Sequence, residues 1–296
     1  MLPARFRSRI HRIAADRKSG AIELALAVVG AFEALSKSST PPEEKDVMMA
    51  VRFLSNAQPS MVPIRNVAEM CARAVTGDGD AEYLIRLLWA HIDNSRTSVA
   101  VNSQPVIRKK ARILTLSRSS TVVHALKLAA RAGRIEKLFI MESRPRFEGR
   151  ATARALAEMG IDCTLVADAL GPSLVKDVDL AVVGADAILG DGGVINKIGT
   201  YPLALACKDC GKPLCVLAES IKLDRRTSSR TWAGPEERNE FELLPRPPRG
   251  LRALNRYFDL TPPAKIACVV HEDGISRQGW AKVMGKILDR LMAGSP

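Results

Sequence analysis

The feature that most constrains the fold is a change of pattern near residue 111. Beyond it, short aliphatic runs, Ile113–Thr115, Leu138–Met141, Cys163–Val166, Leu180–Val183, Leu214–Leu217 and Ala267–Val270, alternate with helical stretches. The helical stretches include Val122–Ala132, Ala151–Met159, Pro202–Cys210 and Gln278–Met292. Apolar strands separated by helices predict an α/β arrangement, a parallel sheet with helices on its faces. Before residue 100 the chain reads as helix throughout. Ala21–Leu35 carries apolar residues at helical spacing and stops at the Ser-Ser-Thr-Pro-Pro break at 38–42. Glu43–Phe53, Val62–Val75 and Ala81–Asn94 follow, and the polar, basic run Ser95–Lys110 reads as a hinge. The expected division is an all-helical N-terminal domain, 1–105, and an α/β C-terminal domain, 106–296.

Charge narrows the partners. The chain carries 44 Lys and Arg against 32 Asp and Glu, a net +12 that favours phosphate-bearing molecules. Aromatic residues make up 4% and are not interleaved with basic stretches, so a nucleic-acid platform is not indicated. The longest apolar candidate for a membrane span, Ala21–Phe32, is short and carries Glu23. The Arg-rich start, Arg5 to Lys18, runs straight into an amphipathic helix and is read as folded; a cytoplasmic location is expected. The six cysteines are scattered, and Cys207-Lys-Asp-Cys210 has no second pair or His cluster at zinc spacing. Reduced thiols are expected, with no metal and no cofactor.

In an open parallel sheet, ligands bind beyond the carboxyl ends of the strands. After Ile113–Thr115 comes Ser117-Arg118-Ser119-Ser120-Thr121, which suits either an oxyanion at a helix start or simple N-capping. After Leu138–Met141, three arginines, Arg144, Arg146 and Arg150, crowd one loop with Glu148 and Gly149. Asp168 and Asp186 each follow a strand, where a carboxylate serves as acid or base, binds ligand hydroxyls, or caps the next helix. Past Asp186, Gly190, Gly192 and Gly193 suggest a flexible loop, Asn196 and Lys197 a polar clamp, and Gly199-Thr200 a phosphate cradle at a helix start. Together the segment 184–201 reads as the floor of a phosphometabolite site.

These residues carry a resemblance. Gly184-Ala-Asp-Ala-Ile188 followed by Asn196-Lys197-Ile-Gly-Thr-Tyr201 resembles the signature of the eIF2B alpha/beta/delta-like family. That family also holds methylthioribose-1-phosphate isomerase and ribose-1,5-bisphosphate isomerase. Glu142-Ser-Arg-Pro145 with Gly149-Arg150, Asp168, Lys222, Glu236-Glu-Arg238, and Asn255 to Pro263 before Glu272 and Gly274 are collinear with it. Lys18-Ser19-Gly20 and Ala57-Gln58-Pro59 fall where the family has R/H-G-A and R-P-T motifs. The resemblance implies a helical N-terminal domain on a Rossmann-like C-terminal domain, through which the chains assemble into homodimers or larger oligomers. It also implies, in the isomerases, conversion of an aldose 1-phosphate to a ketose 1-phosphate by a Cys and the Asp of the Gly-Ala-Asp motif, without metal or nicotinamide.

Transferred residue by residue, Asp186, Asn196 and Lys197 are retained, while the Cys position is Ser117, the phosphate-binding Arg is Gln58, and a Gln is Glu148. A Ser hydroxyl is far less acidic than a thiol of pKa about 8.5, and Gln forfeits a bidentate cationic contact. The expected function is therefore binding of a sugar phosphate or nucleotide by Lys18, Ser19, Gly20, Gln58, Arg118, Ser119, Arg144, Glu148, Asn196 and Lys197 around Asp186 and Ser117. In this reading a GTP-binding initiation factor is the partner if the role is regulatory. The alternatives are an active aldose–ketose isomerase with Asp186 as acid/base, and a divergent enzyme acting on another phosphorylated substrate.

Overall fold

Amphipathic periodicity builds the first third of the chain into α1 (Ala4–Ala15), α2 (Ala21–Ser36), α3 (Glu44–Ala57), α4 (Val62–Thr76) and α5 (Ala81–Asn102). The structure, a computed structural model, describes residues 2–16, 19–38, 41–57, 59 and 61–294. Lys18 and Gln58, two of the expected ligand contacts, lie outside the described residues. Helix α2 is apolar nearly all round, so it sits at the centre, packed against α1, α4 and α5. Phe32 on α2 meets Phe6 on α1 edge-to-face at 5.2 Å between ring centroids.

Helix α5 corrects the expected hinge at 95–110: it continues unbroken to Asn102. Ile85, Leu88, Ile92, Ser95 and Val99 form one buried stripe at helical spacing. Ser95 fits in it because its hydroxyl donates to the Ile92 carbonyl at 2.9 Å. At the helix end, the Asn102 amide donates to the carbonyls of His271 (3.1 Å) and Glu272 (2.8 Å), fastening the helices to the sheet.

The rest of the chain supplies β1 (Ala111–Leu116), β2 (Ile135–Met141), β3 (Cys163–Val166), β4 (Leu180–Val183), β5 (Ala187–Leu189) and β6 (Val194–Lys197). Then come β7 (Leu214–Leu217), β8 (Leu223–Asp224), β9 (Phe258–Thr261), β10 (Cys268–His271) and β11 (Gly274–Ser276). The helices between and after them are α6 (Ser120–Arg131), α7 (Glu148–Ala157), α8 (Thr200–Asp209) and α9 (Trp280–Met292). The main sheet runs in the order β11-β10-β7-β4-β1-β2-β3, parallel except for the edge strand β11. Side chains alternate strictly across it. Leu114, Phe139, Val183 and Val216 join one apolar cluster with the N-terminal helices, and Ile113, Leu138, Val182 and Leu217 face the other way, with α6. Strand order reverses between β1 and β4, which pair at Ile113↔Leu180 and Leu114↔Ala181. A crevice is expected at that point, beyond Leu116 and Val183.

A second sheet, β8-β5-β6-β9, was not anticipated. It explains the glycines at 190–193 differently from a flexible cleft loop. They turn the β5–β6 hairpin, where the Leu189 N–H donates to the Gly193 carbonyl at 2.7 Å and Gly192 has φ +89°. The indole N–H of Trp280 donates to the Gly192 carbonyl at 3.0 Å, so the turn is seated under α9. Among the described residues, no helix is long and apolar enough to cross a membrane.

Candidate functional site

The carboxyl ends of β1 and β4 open onto a cleft of ≈ 870 Å³ between the sheet and the N-terminal helices. Two glycines let its walls come together. A Cβ on Gly184 would lie 2.7 Å from the Ser119 side chain, and one on Gly149 would lie 1.9 Å from the Met141 carbonyl oxygen. Only the absence of a side chain allows β4 to end against the start of α6, and α7 to begin against the end of β2.

Ser117 terminates β1 with φ +63°, and Ser143 and Phe147 in the facing loop also have left-handed backbones, at +67° and +58°. Such conformations are uncommon for residues with a Cβ and gather at functional sites. Hydrogen bonds hold them. The Ser117 N–H donates to Ser143 Oγ at 2.6 Å, and its carbonyl accepts from the Thr152 hydroxyl at 2.9 Å. The Asp168 carboxylate accepts the N–H groups of Ser143 and Arg144, both at 2.7 Å. Asp168 is thus a clamp on this loop. Ser119 caps α6, its hydroxyl accepting the Val122 N–H at 3.3 Å, while still lining the cleft.

Asp186 stands on the cleft floor, its backbone N–H donating to the Ile195 carbonyl at 2.8 Å. Burial pushes its carboxyl up to about 6, opposed by the Lys222 and Lys197 ammonium groups and reinforced by Glu148. A carboxyl in that range exchanges protons near neutral pH, as acid/base chemistry requires. The nearby cations are already engaged. Lys197 Nζ lies 3.0 Å from Glu148 Oε1 and 4.9 Å from the Tyr257 ring centroid; Lys222 Nζ lies 2.8 Å from Glu219 Oε2. Glu219 is fully buried and also accepts the Thr121 hydroxyl. The Asn196 amide donates to Thr200 Oγ1 at 2.9 Å. Buried Glu148 Oε2 has no hydrogen-bond partner among the described residues.

The expected phosphate cradle at Gly199-Thr200 is corrected. Asp259 fills the start of α8, accepting the N–H groups of Gly199 (2.8 Å) and Tyr201 (3.1 Å). Burial raises the Asp259 carboxyl to about 6 against the opposing pull of those N–H groups. Neither Gly199 nor Thr200 lines the cleft.

Ser19, Gly20, Ser117, Arg118, Ser119, Glu148, Asp186, Asn196 and Lys197 all meet on this one cleft. Arg144 does not: its guanidinium donates to the Leu243 carbonyl at 3.4 Å and lies 5.1 Å from the Phe147 ring centroid. Sequence reasoning passed over Arg96, His124, Lys127 and Tyr257, which line the walls. The spacing of Ser120, His124 and Lys127 along one face of α6 was the available signal. Cys207 is buried, its thiol pushed up to about 12 by desolvation, and Cys210 is exposed.

The Initiation factor 2 subunit family model matches residues 17–278 of this chain. The chain belongs to that family. A putative translation initiation factor eIF-2B subunit 2-like protein of Pyrococcus furiosus is 31% identical over 283 residues, covering 93% of this chain and 97% of its own. Ribose 1,5-bisphosphate isomerase of Archaeoglobus fulgidus is 30% identical over 248 residues, covering 80% and 78%. Among solved structures, the translation initiation factor eIF-2B of Pyrococcus horikoshii OT3 superposes with a TM-score of 0.81 at 27% identity, covering 94% of this chain and 99% of that one.

In this cleft Glu148 pairs with Lys197 and adds to the burial that pushes the Asp186 carboxyl up. Glu148→Gln is expected to release the ammonium group and tighten binding of a phosphorylated ligand about tenfold, the scale of one added charge in a partly wet cleft. Calorimetric titration checks this. Weaker binding would instead mean that the Glu148 carboxylate contacts the ligand as an essential acceptor.

Proposed function

We propose that the chain binds a phosphorylated sugar or nucleotide in the cleft floored by Asp186, and that binding without efficient turnover is its role. The observation that carries this reading is the convergence of two helix starts on one cleft. Gly20, Ala21 and Ile22 at the start of α2, and Ser119 and Ser120 at the start of α6, all line it. The Glu23 carboxylate lies over Gly20 at the start of α2, and Ser119 accepts one N–H of α6, so a ligand would use the remaining N–H groups of the two starts. Helix N-termini present free N–H groups and a positive dipole end, the pairing that recognises phosphate. Asn196 and Glu148 supply polar contacts for sugar hydroxyls beside them.

Catalysis is the second reading, and Asp186 favours it by titrating near neutrality. Ser117 weighs against it, because a hydroxyl donates and recovers a proton poorly without a base. Assembly through the C-terminal part is supported by the exposed apolar residues Ile198, Tyr201 and Leu205, which fall at helical spacing on and just before α8 as a face for a second copy. A GTP-binding initiation factor is the partner proposed for a regulatory role.

Thermal shifts with ribose 1,5-bisphosphate, methylthioribose 1-phosphate and AMP test the reading. At least one is expected to raise Tm at millimolar concentration, since a ligand that binds only the folded chain stabilises it. Flat responses to all three would overturn the assignment of the cleft.

A further inference from the structure

We infer that Glu219, which lies behind the cleft and does not line it, is a positioning residue for the cleft floor. Through Thr121 it holds the start of α6, and through Lys222 it holds a cation that acts on Asp186. The inference rests on the proposed function for what the cleft binds, and on its own observations for how the floor is set.

The first observation is a sealed triad. Glu219 and Thr121 are fully buried, and Lys222 is nearly so. A carboxylate removed from water is tolerated when donors and an opposite charge meet it. Oε1 of Glu219 accepts the Thr121 hydroxyl, and Oε2 lies 2.8 Å from Lys222 Nζ. Oε2 accepts no hydrogen bond among the described residues, so its hold on Lys222 is coulombic. Thr121 follows Ser119 and Ser120, which line the cleft together with Lys222, whereas Glu219 and Thr121 stand outside the lining. One carboxylate therefore fixes two parts of the wall without touching a ligand.

The second observation is how firmly the segment carrying Lys222 is held. Ser220–Lys222 forms one turn of 3-10 helix, in which the Lys222 N–H donates to the Glu219 carbonyl at 3.0 Å. The Ser220 N–H donates to both carboxylate oxygens of Glu272, at 3.1 and 3.0 Å, and its hydroxyl donates to Oε1 at 2.5 Å. Glu272 also lies 3.1 Å from Nε2 of His91 on α5. From α4, the Asn66 amide donates to the carbonyls of Ile221 and Leu223, both at 2.8 Å. Lys222 thus projects from a base pinned by the N-terminal helices and by the sheet.

The third observation is charge. Lys222 acts most strongly on Asp186, ahead of Lys197 from β6 and Glu148 from α7. Lys197 is paired with Glu148 and Lys222 with Glu219, so neither cation draws the Asp186 proton off at full strength. Without the Glu219 charge, Lys222 acts on Asp186 unopposed and favours its ionised form.

The test uses the whole chain as wild type, Glu219→Gln and Thr121→Val. Gln keeps an acceptor for Thr121 and loses the charge opposite Lys222. Val keeps the charge pair and loses the hydroxyl that ties α6 to Glu219. Infrared difference spectra over a pH series follow the Asp186 carboxyl, identified by the band that Asp186→Asn removes. In Glu219→Gln its midpoint is expected to fall by about one pH unit, the scale of one nearby charge. In Thr121→Val the midpoint is expected to stay, while the start of α6 loosens. There the Val123 N–H, bonded to the Ser119 carbonyl at 2.9 Å, is expected to exchange its hydrogen about tenfold faster. Calorimetric affinity for ribose 1,5-bisphosphate, methylthioribose 1-phosphate or AMP, whichever binds wild type, is expected to fall about tenfold in Thr121→Val. A lower Tm in Glu219→Gln with the Asp186 midpoint unmoved means that the carboxylate only supports the fold, and overturns the inference. Unchanged Val123 exchange in Thr121→Val overturns it too; that variant leaves no buried charge unpaired and decides the question if Glu219→Gln does not fold. Equal ligand affinity in wild type and Thr121→Val also overturns it. If none of the three ligands binds wild type while midpoint and exchange shift as expected, the proposed function fails and the positioning role stands.

Discussion

Ser117→Cys is expected to raise conversion of ribose 1,5-bisphosphate or methylthioribose 1-phosphate to the ketose by at least about 10²-fold, the usual scale of one positioned acid/base group. The substitution exchanges an oxygen for a sulfur at the end of β1 and leaves the left-handed backbone of residue 117, φ +63°, unchanged. What it alters is acidity. A thiol near pKa 8.5 gives up and recovers a proton at neutral pH, and the serine hydroxyl does not. Both groups line the cleft that contains Asp186, whose own carboxyl titrates near 6. Adding Asp186→Asn to the Ser117→Cys variant is expected to abolish the gain. Steady-state assay of ketose formation checks both. A Ser117→Cys chain that binds ligand and turns over no faster than the parent sinks the pairing of residues 117 and 186.

Asp186→Asn alone is expected to stabilise the unliganded chain above pH 6 by about 2 kcal/mol. Burial lifts the carboxyl from 3.8 to about 6, so the folded state holds the proton more tightly than the unfolded state. Between those values the unfolded chain binds fewer protons, and stability falls as pH rises until the folded group has ionised. Two pH units correspond to about 3 kcal/mol, reduced here because the side chain keeps some contact with the solvent in the cleft. An amide escapes this penalty. The advantage of the variant should therefore vanish near pH 4 and reach its full size by about pH 7. Urea unfolding at several pH values measures it, and Asp259, which also titrates near 6, is common to both chains and cancels. A difference that is equal at pH 4 and pH 8 would mean that Asp186 is not held protonated by its surroundings.

Much of the fold was legible because of how parallel sheets are buried. The five internal strands of the main sheet, covered on both faces, and the partly exposed edge strand β3 appear in the sequence as aliphatic runs, and each was found where it was read. The second sheet was not, since β5 and β8 are three and two residues long and too short for any periodicity to register. Helix α5 was cut short in the reading because Ser95 looked polar, whereas its hydroxyl is satisfied within the helix. At the site, Ser117, Glu148, Asp186, Asn196 and Lys197 were identified from their places after strands and on one family signature, and they line one cleft. The start of α8 was misread as a phosphate cradle because its actual occupant, Asp259, comes from 60 residues further along the chain.

Residue order alone established the alternation of strand and helix, the crevice beyond the strands that it implies, and the family signature with Ser117 in place of a Cys. Which charges are available to a ligand emerged only when the chain was folded. Lys197, Lys222, Arg96 and Lys127 are equivalent cations when read as letters. The first two are neutralised because folding brings Glu148 and Glu219 within 3.0 and 2.8 Å of them, and the last two keep their charge because it brings no carboxylate among the described residues. Availability of a charge depends on distance in space and on burial, and neither is a property of position along the chain.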